Sequence, residues 1–375
     1  MESFSDEHEA LRATVRQFLS DKSDEQAVRT HMATDEGWNA DLWKQLAEEV
    51  GLAGLIIPEE HGGAGFGYVE LCVVAEEMGR ALLCAPYLST AVFATNAILR
   101  CTSKETQAAL LPGLASGEST ATVACFDDNG RWDLASIETS AVQKDGDWVL
   151  DGTKARVLDG HTADVLLVVA RTADGLELFQ IEGDAEGVTR ESIPALDLTR
   201  KLAKISLAGT KATRISEGDQ SANLERVLAL TLAALTAEQC GGTQACLDMA
   251  VDYAKTRLQF GRPIGSFQAI KHKCADILIE VEFSKSAAYS ACFTAADCIA
   301  NDTGWDDLLL AATMAKSYCS EAYYHAAAEN IQIHGGMGFT WEHPAHLYYK
   351  RAKASELLFG DGAHHREALA DQVGL

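Results

Sequence analysis

The stretch from Tyr253 to Asp276 constrains the fold more than any other, because it reads as a helix end, a tight turn and a second helix start. Gly261 and Gly265 suit positive φ or close backbone approach, and Pro263 fixes one torsion between them. Ser266 is placed to cap the new helix. Beyond it Phe267, Ile270, Cys274, Ile277, Leu278 and Val281 recur at helical spacing. Arg257 and Arg262 flank the turn, which also carries Phe260, Phe267 and Gln268. A positively charged, partly aromatic corner suits an anionic ligand with a flat ring. On spacing alone an ordinary helix–turn–helix corner also accounts for it, and isolated motifs are weak evidence.

The rest of the chain narrows the choice. At 375 residues it exceeds the usual single-core limit, so two or three subdomains are expected. Thirty-one basic against 55 acidic residues give a net charge of −24, which argues against nucleic acid or an anionic membrane as the main partner. An anionic substrate would need locally placed Lys or Arg. The ten cysteines are scattered without a Cys-x-x-Cys pair, mostly in apolar or helical runs where a free thiol acts as a small hydrophobe. No charged-then-apolar signal opens the sequence and no apolar run is long enough for a bilayer, so no membrane insertion is expected and a reducing cytoplasm is the expected location.

In chain order, residues 1–115 read as helical. Leu11, Val15, Phe18 and Leu19 alternate with charged residues at period 3.6, a second helix around Leu42 to Val50 ends at Gly51, and Tyr68 to Leu83 forms another, ended by Pro86. Residues 116–218 change to alternation and turns. Lys144-Asp-Gly-Asp147 is a hairpin signal, Asp151-Gly152 a second turn, Asp164 to Ala170 a buried strand, and Thr172 to Gly175 a turn into Leu176 to Ile181. Residues 219–375 return to long helices: Leu224 to Tyr253 with Gly241 and Gly242 as close-packing points, Phe267 to Ala300, and Trp305 to Ile333. The fold expected is mainly α with a β insert.

Three blocks carry a family resemblance. Arg257-x-x-Phe260-Gly261-x-Pro263-Ile264-Gly265-x-Phe267-Gln268 resembles the signature of the acyl-CoA dehydrogenase family. Gln332-Ile-His334-Gly335-Gly336-Met-Gly338-Phe339 resembles a second family block, and Pro58-Glu-Glu-His-Gly62-Gly63-Ala-Gly65, followed by Glu76, Glu77 and Met78, an earlier one. They fall in the family's order, and the resemblance covers nearly the whole chain. It implies an N-terminal helical domain, a middle β-barrel domain and a C-terminal four-helix bundle. It also implies a homo- or hetero-tetramer with FAD at a subunit interface, an acyl-CoA substrate, an electron-accepting flavoprotein, and a place in fatty acid or steroid side-chain β-oxidation.

The chemistry implied is α,β-dehydrogenation of an acyl-CoA thioester: a carboxylate removes an α-proton while a hydride leaves the β-carbon for the flavin. The thioester oxygen must be held by preorganised donors. By resemblance, Arg257 pairs with the FAD pyrophosphate, Phe260, Ile264, Phe267 and Gln268 pack around the adenosine end, and Gln332, Gly335 and Gly336 lie along the same nucleotide. Arg offers a planar fork matched to phosphate oxygens. The ring half departs from the family. Cys125-Phe126-Asp127-Asp128-Asn129-Gly130 lacks the usual threonine and small-residue loop, and Arg156 and Leu158 stand where a tryptophan and a threonine face the ring.

The base departs as well. The two positions that family members use hold Phe359 and Thr231, and neither side chain takes a proton. Glu238 lies roughly 10 Å further along Thr231's helix. Asp361 is closer to the C-terminal position, where a turn or cap role also explains it. His334, His364 and His365 show no metal-ligand spacing and read as local hydrogen-bonding residues. Three readings stand: an FAD acyl-CoA dehydrogenase with a displaced base, a non-catalytic or half-site subunit of a hetero-oligomer giving only nucleotide contacts, and an assembly protein that keeps the fold without flavin.

Overall fold

The computed structural model describes residues 4–375. Helices open the chain: α1 (Asp6–Lys22), α2 (Glu25–Met32), α3 (Ala40–Glu48), α4 (Tyr68–Arg80), α5 (Thr95–Cys101) and α6 (Lys104–Ala115). Seven strands follow: β1 (Ala121–Ala124), β2 (Ser140–Lys144), β3 (Asp147–Leu158), β4 (Val165–Arg171), β5 (Leu176–Glu182), β6 (Val188–Ile193) and β7 (Leu202–Arg214). The chain ends in α7 (Ser221–Thr256), a minimal hairpin of β8 (Leu258–Gln259) and β9 (Arg262–Pro263), α8 (Gln268–Asn301), α9 (Trp305–His334), α10 (Ala345–Leu357) and α11 (Gly362–Gln372). Helical, β, helical is the order that the residue patterns led us to expect. It packs as two compact units, one taking the chain up to Arg29 with Tyr68–Leu83 and Leu232–Leu375, the other Thr30–Gly67 with Cys84–Thr231.

In the second unit the strands pair in the order β1-β4-β2-β3-β7-β5, and β5 pairs β4 again, so the sheet closes on itself with β6 alongside β7. Closure leaves few open edges. The expected hairpin is present: Lys144 faces Asp147, and Asp145 and Gly146 take φ of 54° and 94°, as a two-residue turn requires. Leu150, Leu166, Val168, Phe179, Ile205 and Leu207 fill the interior. Asp151-Gly152 does not turn. Strand β3 runs through it with a register shift, and a Cβ on Gly152 would lie 2.8 Å from Thr139 Cα. This glycine allows close approach, not reversal.

In the first unit α1 clamps α4. Arg12 donates to Glu76 at 2.6 Å and to Glu77 at 3.3 Å, Arg16 donates to Glu77 at 2.6 and 2.8 Å, and Tyr289 of α8 donates to Glu76 at 2.8 Å. These two carboxylates are buried, so losing a partner would leave a charge uncompensated. Against α7, α4 packs backbone to backbone. A Cβ on Gly79 would meet Glu238 O at 1.9 Å, and one on Gly241 would meet Glu76 O at 1.7 Å; Gly242 makes room for the Tyr323 ring. Beyond that crossing, Cys246, Ala250, Ile277, Val281, Tyr323 and Ala326 form the core of the helical bundle.

Several boundaries differ from expectation. Helix α4 stops at Arg80, and Pro86 instead opens a wide π-helical turn, Tyr87–Ala94. Ser266 does not cap α8: it closes a short 3-10 turn, and Phe267 sits at the cap without a side-chain bond. Leu278 keeps helical phase but is 47% exposed, outside the core.

The α4–α7 crossing makes a direct prediction. Gly241→Ala is expected to lower unfolding free energy by about 1–3 kcal/mol through overpacking. Urea denaturation reads this, and an unchanged midpoint would show that the helices can part without cost.

Candidate functional site

The end of α7 builds the corner. Arg257 N donates to Tyr253 O at 2.8 Å, and Ile264 N returns to Arg257 O at 2.8 Å. Between them Leu258 pairs with Pro263 and Gln259 with Arg262. The two central residues, Phe260 and Gly261, take φ of 53° and 77°. That suits glycine and strains phenylalanine, a residue here 90% exposed. Phe267 meets it edge-on at 6.0 Å between centroids, and the Arg262 guanidinium lies 4.2 Å over the Phe267 ring. Arg257 and Gln268 are exposed, and the Arg257 side chain has no ion-pair partner among the described residues.

The second block is brought to this corner by one stack: the Tyr253 ring lies 4.2 Å from that of His334, at 27°. His334 Nδ1 donates to Asn330 O at 2.9 Å, a local role. Gln332 is exposed on the last turn of α9, Gly335 takes φ of 60°, and a Cβ on Gly335 or Gly336 would meet nothing within 4 Å. Ile264, half-buried, packs against the bundle core and anchors the corner. A free guanidinium, an aromatic pair and open glycine backbone together can hold a phosphate-bearing ligand with a flat base. The earlier block, Pro58–Gly65, is a compact loop in the other unit, with Gly63 against Ile57.

The residues expected to face a flavin ring are committed elsewhere. The Asp127 carboxylate accepts from Glu138 N (2.6 Å), Thr139 N (2.8 Å), Thr139 Oγ1 (2.7 Å) and Lys154 Nζ (2.7 Å), while Lys154 also donates to Cys125 O at 2.8 Å. Burial opposes its charge, yet Lys154 and these donors hold the carboxyl below its usual range. Arg156 has φ of 54° and lies 4.4 Å over Trp132; its Nε and Nη2 are shielded and have no acceptor among the described residues. Leu158 is 3% exposed and lies on the strand face opposite its core neighbour Val157.

The candidate bases are equally spent. Phe359 is buried with φ of 60°, and its carbonyl accepts from His365 Nε2 at 3.0 Å. Burial beside Lys316 and His364 pushes His365 down to about 3, so it donates as a neutral ring. Asp361 caps α11, accepting from His364 N at 2.9 Å, and that bond lowers its pKa. Thr231 donates to Val227 O at 2.8 Å, and Glu238 accepts from Arg351 at 2.9 Å. Among the described residues no three His, Cys, Asp or Glu side chains group to hold a metal ion.

One residue escaped the sequence reading. Lys316, fully buried on α9, donates to Ser320 Oγ (3.0 Å), Glu356 O (3.0 Å) and Gly360 O (2.9 Å), tying down the loop that carries Phe359. Its signal was a lone lysine in phase with Ala312, Cys319 and Ser320, all buried.

Comparison with known proteins fixes the context. Residues 5–118, 122–211 and 222–374 match, in turn, the N-terminal, middle and C-terminal domains of acyl-CoA dehydrogenase. Acyl-CoA dehydrogenase IpdE2 of Mycobacterium tuberculosis is 35% identical, covering 94% of this chain and 93% of that protein. This chain belongs to the acyl-CoA dehydrogenase family. The family comprises FAD-dependent oxidoreductases acting on CH–CH bonds. Acyl-CoA dehydrogenase FadE34 of the same organism is 36% identical over 92% of this chain but only 44% of its own length. Among solved structures, the steroid acyl-CoA dehydrogenase Tcur3481-Tcur3483 (G363A variant) superposes with a TM-score of 0.88 at 32% identity, covering 98% of both chains. The ChsE4-ChsE5 complex of Mycobacterium tuberculosis gives 0.90 at 27% identity, covering 100% of this chain and 99% of that one. No helix among the described residues is long and apolar enough to cross a membrane.

Lys316 predicts a pH signature. Burial lowers its amine from 10.5 to about 7. Between those values the unfolded chain holds the extra proton, so this group makes stability rise with pH; below about 7 its burial cost is carried in full. The rise should vanish in Lys316→Met, as read by urea unfolding across that range. Parallel pH profiles in the two proteins would contradict it.

Proposed function

We propose that this chain is the half-site subunit of a hetero-oligomeric acyl-CoA dehydrogenase, giving the nucleotide half of an FAD site whose ring half and base lie in a sister chain. One contrast carries the reading: Phe260 stands 90% exposed at a strained turn, while the base position holds a buried Phe359. The assembly carries out α,β-dehydrogenation of an acyl-CoA thioester, and FAD, when bound, supplies the hydride acceptor. Arg257 holds the pyrophosphate, Phe260, Ile264, Phe267 and Gln268 pack the adenosine end, and Gln332, Gly335 and Gly336 run along the nucleotide.

The residues present fit that half and not the other. Open donors and aromatic faces crowd the corner, whereas Arg156 folded onto Trp132 and the buried Leu158 offer a ring no hydroxyl. The resemblance to the two-component ChsE4-ChsE5 and Tcur3481-Tcur3483 structures supports a paired assembly and a bulky, steroid-type acyl group. The departures in the ring half and base support a division of labour between chains. A separate electron-accepting flavoprotein reoxidises the assembly, and the cytoplasm is the expected setting.

The test is turnover with an artificial electron acceptor. The chain alone should leave acyl-CoAs unoxidised, and the assembly with its sister should turn over. Arg257→Ala in this chain should weaken FAD retention in the assembly by about tenfold or more, the loss of a charge-assisted pair. Turnover by the chain alone, or unchanged flavin content in that variant, would overturn the reading.

A further inference from the structure

Behind the corner lies a cavity of about 440 Å³, between the last turns of α7 and the first turns of α8. Gly265 brings the corner onto α7 here: a Cβ on it would lie 2.8 Å from Ala254 O and 3.3 Å from Ala254 Cβ. The walls are apolar, formed by Val251, Ala254, Ile270 and Cys274, three of which (Val251, Ile270 and Cys274) pack against the bundle core. Two lysines, Lys255 and Lys271, also line it. Lys255 is 3.9 Å from Asp252, a pair largely exposed and weakly held. Lys271 has no ion-pair partner among the described residues.

The combination is selective. A pocket of this volume with apolar walls accommodates a small amphipathic molecule. On a chain of net charge −24, two lysines in the lining, one of them without an ion-pair partner among the described residues, set the sign of the polar end. We infer that this cavity binds an apolar monocarboxylate, its body against Val251, Ile270 and Cys274 and its carboxylate at Lys271 and Lys255. The site is lined by residues other than the nucleotide contacts Arg257, Phe260 and Gln268, and does not require that the chain carry a base.

Cys274 supplies the readout, because it is half-buried while the other nine cysteines are buried. Decanoate should slow alkylation of Cys274 by a maleimide in the full chain, followed by peptide mass spectrometry, and Cys274→Ser should remove the labelled peptide. Decanol, without the charge, should protect less well. Lys271→Glu should weaken decanoate protection by about three- to tenfold, the effect of reversing one exposed charge. Equal protection by decanol and decanoate, together with an unaltered Lys271→Glu, would reduce the site to an uncharged crevice and overturn the proposal. So would an unchanged alkylation rate at saturating decanoate. Failure of Cys274 to label at all would mean that another chain covers this face, and would overturn it too. None of these readouts depends on flavin or turnover.

Discussion

Two phenylalanines in left-handed backbone set the terms for everything else in this chain. Such a conformation costs on the order of 1–3 kcal/mol for a residue with a Cβ, and persists only where its surroundings hold it. Phe359, with φ of 60°, is held from within: it is buried, and Lys316, His365 and the α11 cap fix the carbonyls and ends of its loop. Phe260, with φ of 53°, sits in a two-residue hairpin beside Phe267 and is almost wholly exposed. Burial explains the first. The second has an edge-on contact with Phe267 and little burial, which leaves its ring open to a partner.

That asymmetry follows from how the helices are joined. Helix α7 runs 36 residues to the corner, and Gly79, Gly241 and Gly242 let α4 and Tyr323 approach it closely. At its end, the Tyr253–His334 stack sets the last turns of α7 and α9 side by side, so two motifs some eighty residues apart in sequence share one face. The acid–base loop is governed by different forces. A buried ammonium on three oxygens, a neutral imidazole and a capping carboxylate form a closed set in which each polar group is already answered. A loop so satisfied makes a rigid support and a poor proton acceptor.

Much of this was legible in the residues. Periodicity located the long helices, and the Asp-Gly pair at 145–146 located a hairpin, because those signals are local. Locality also set the limit. Gly152 looked like a turn residue because the Thr139 backbone crowding it, just before β2, lies elsewhere in the chain, and Ser266 looked like a cap because nothing nearby shows that the backbone is still in a 3-10 turn. Leu278 had the phase of a core residue, yet it stays 47% exposed. Lys316 was invisible as an organiser, since its partners at Glu356 and Gly360 lie forty residues or more away. The departures at Arg156, Leu158 and Phe359 were visible in sequence; what they do instead required coordinates.

The central claim is a division of one flavin site between two different chains. FAD content, extracted and quantified, tests it most directly when this chain is purified alone and again after coexpression with its sister chain. The account predicts little FAD on the chain alone and tightly retained FAD on the mixed assembly. A yellow protein carrying one FAD per copy of this chain, purified by itself, would contradict it.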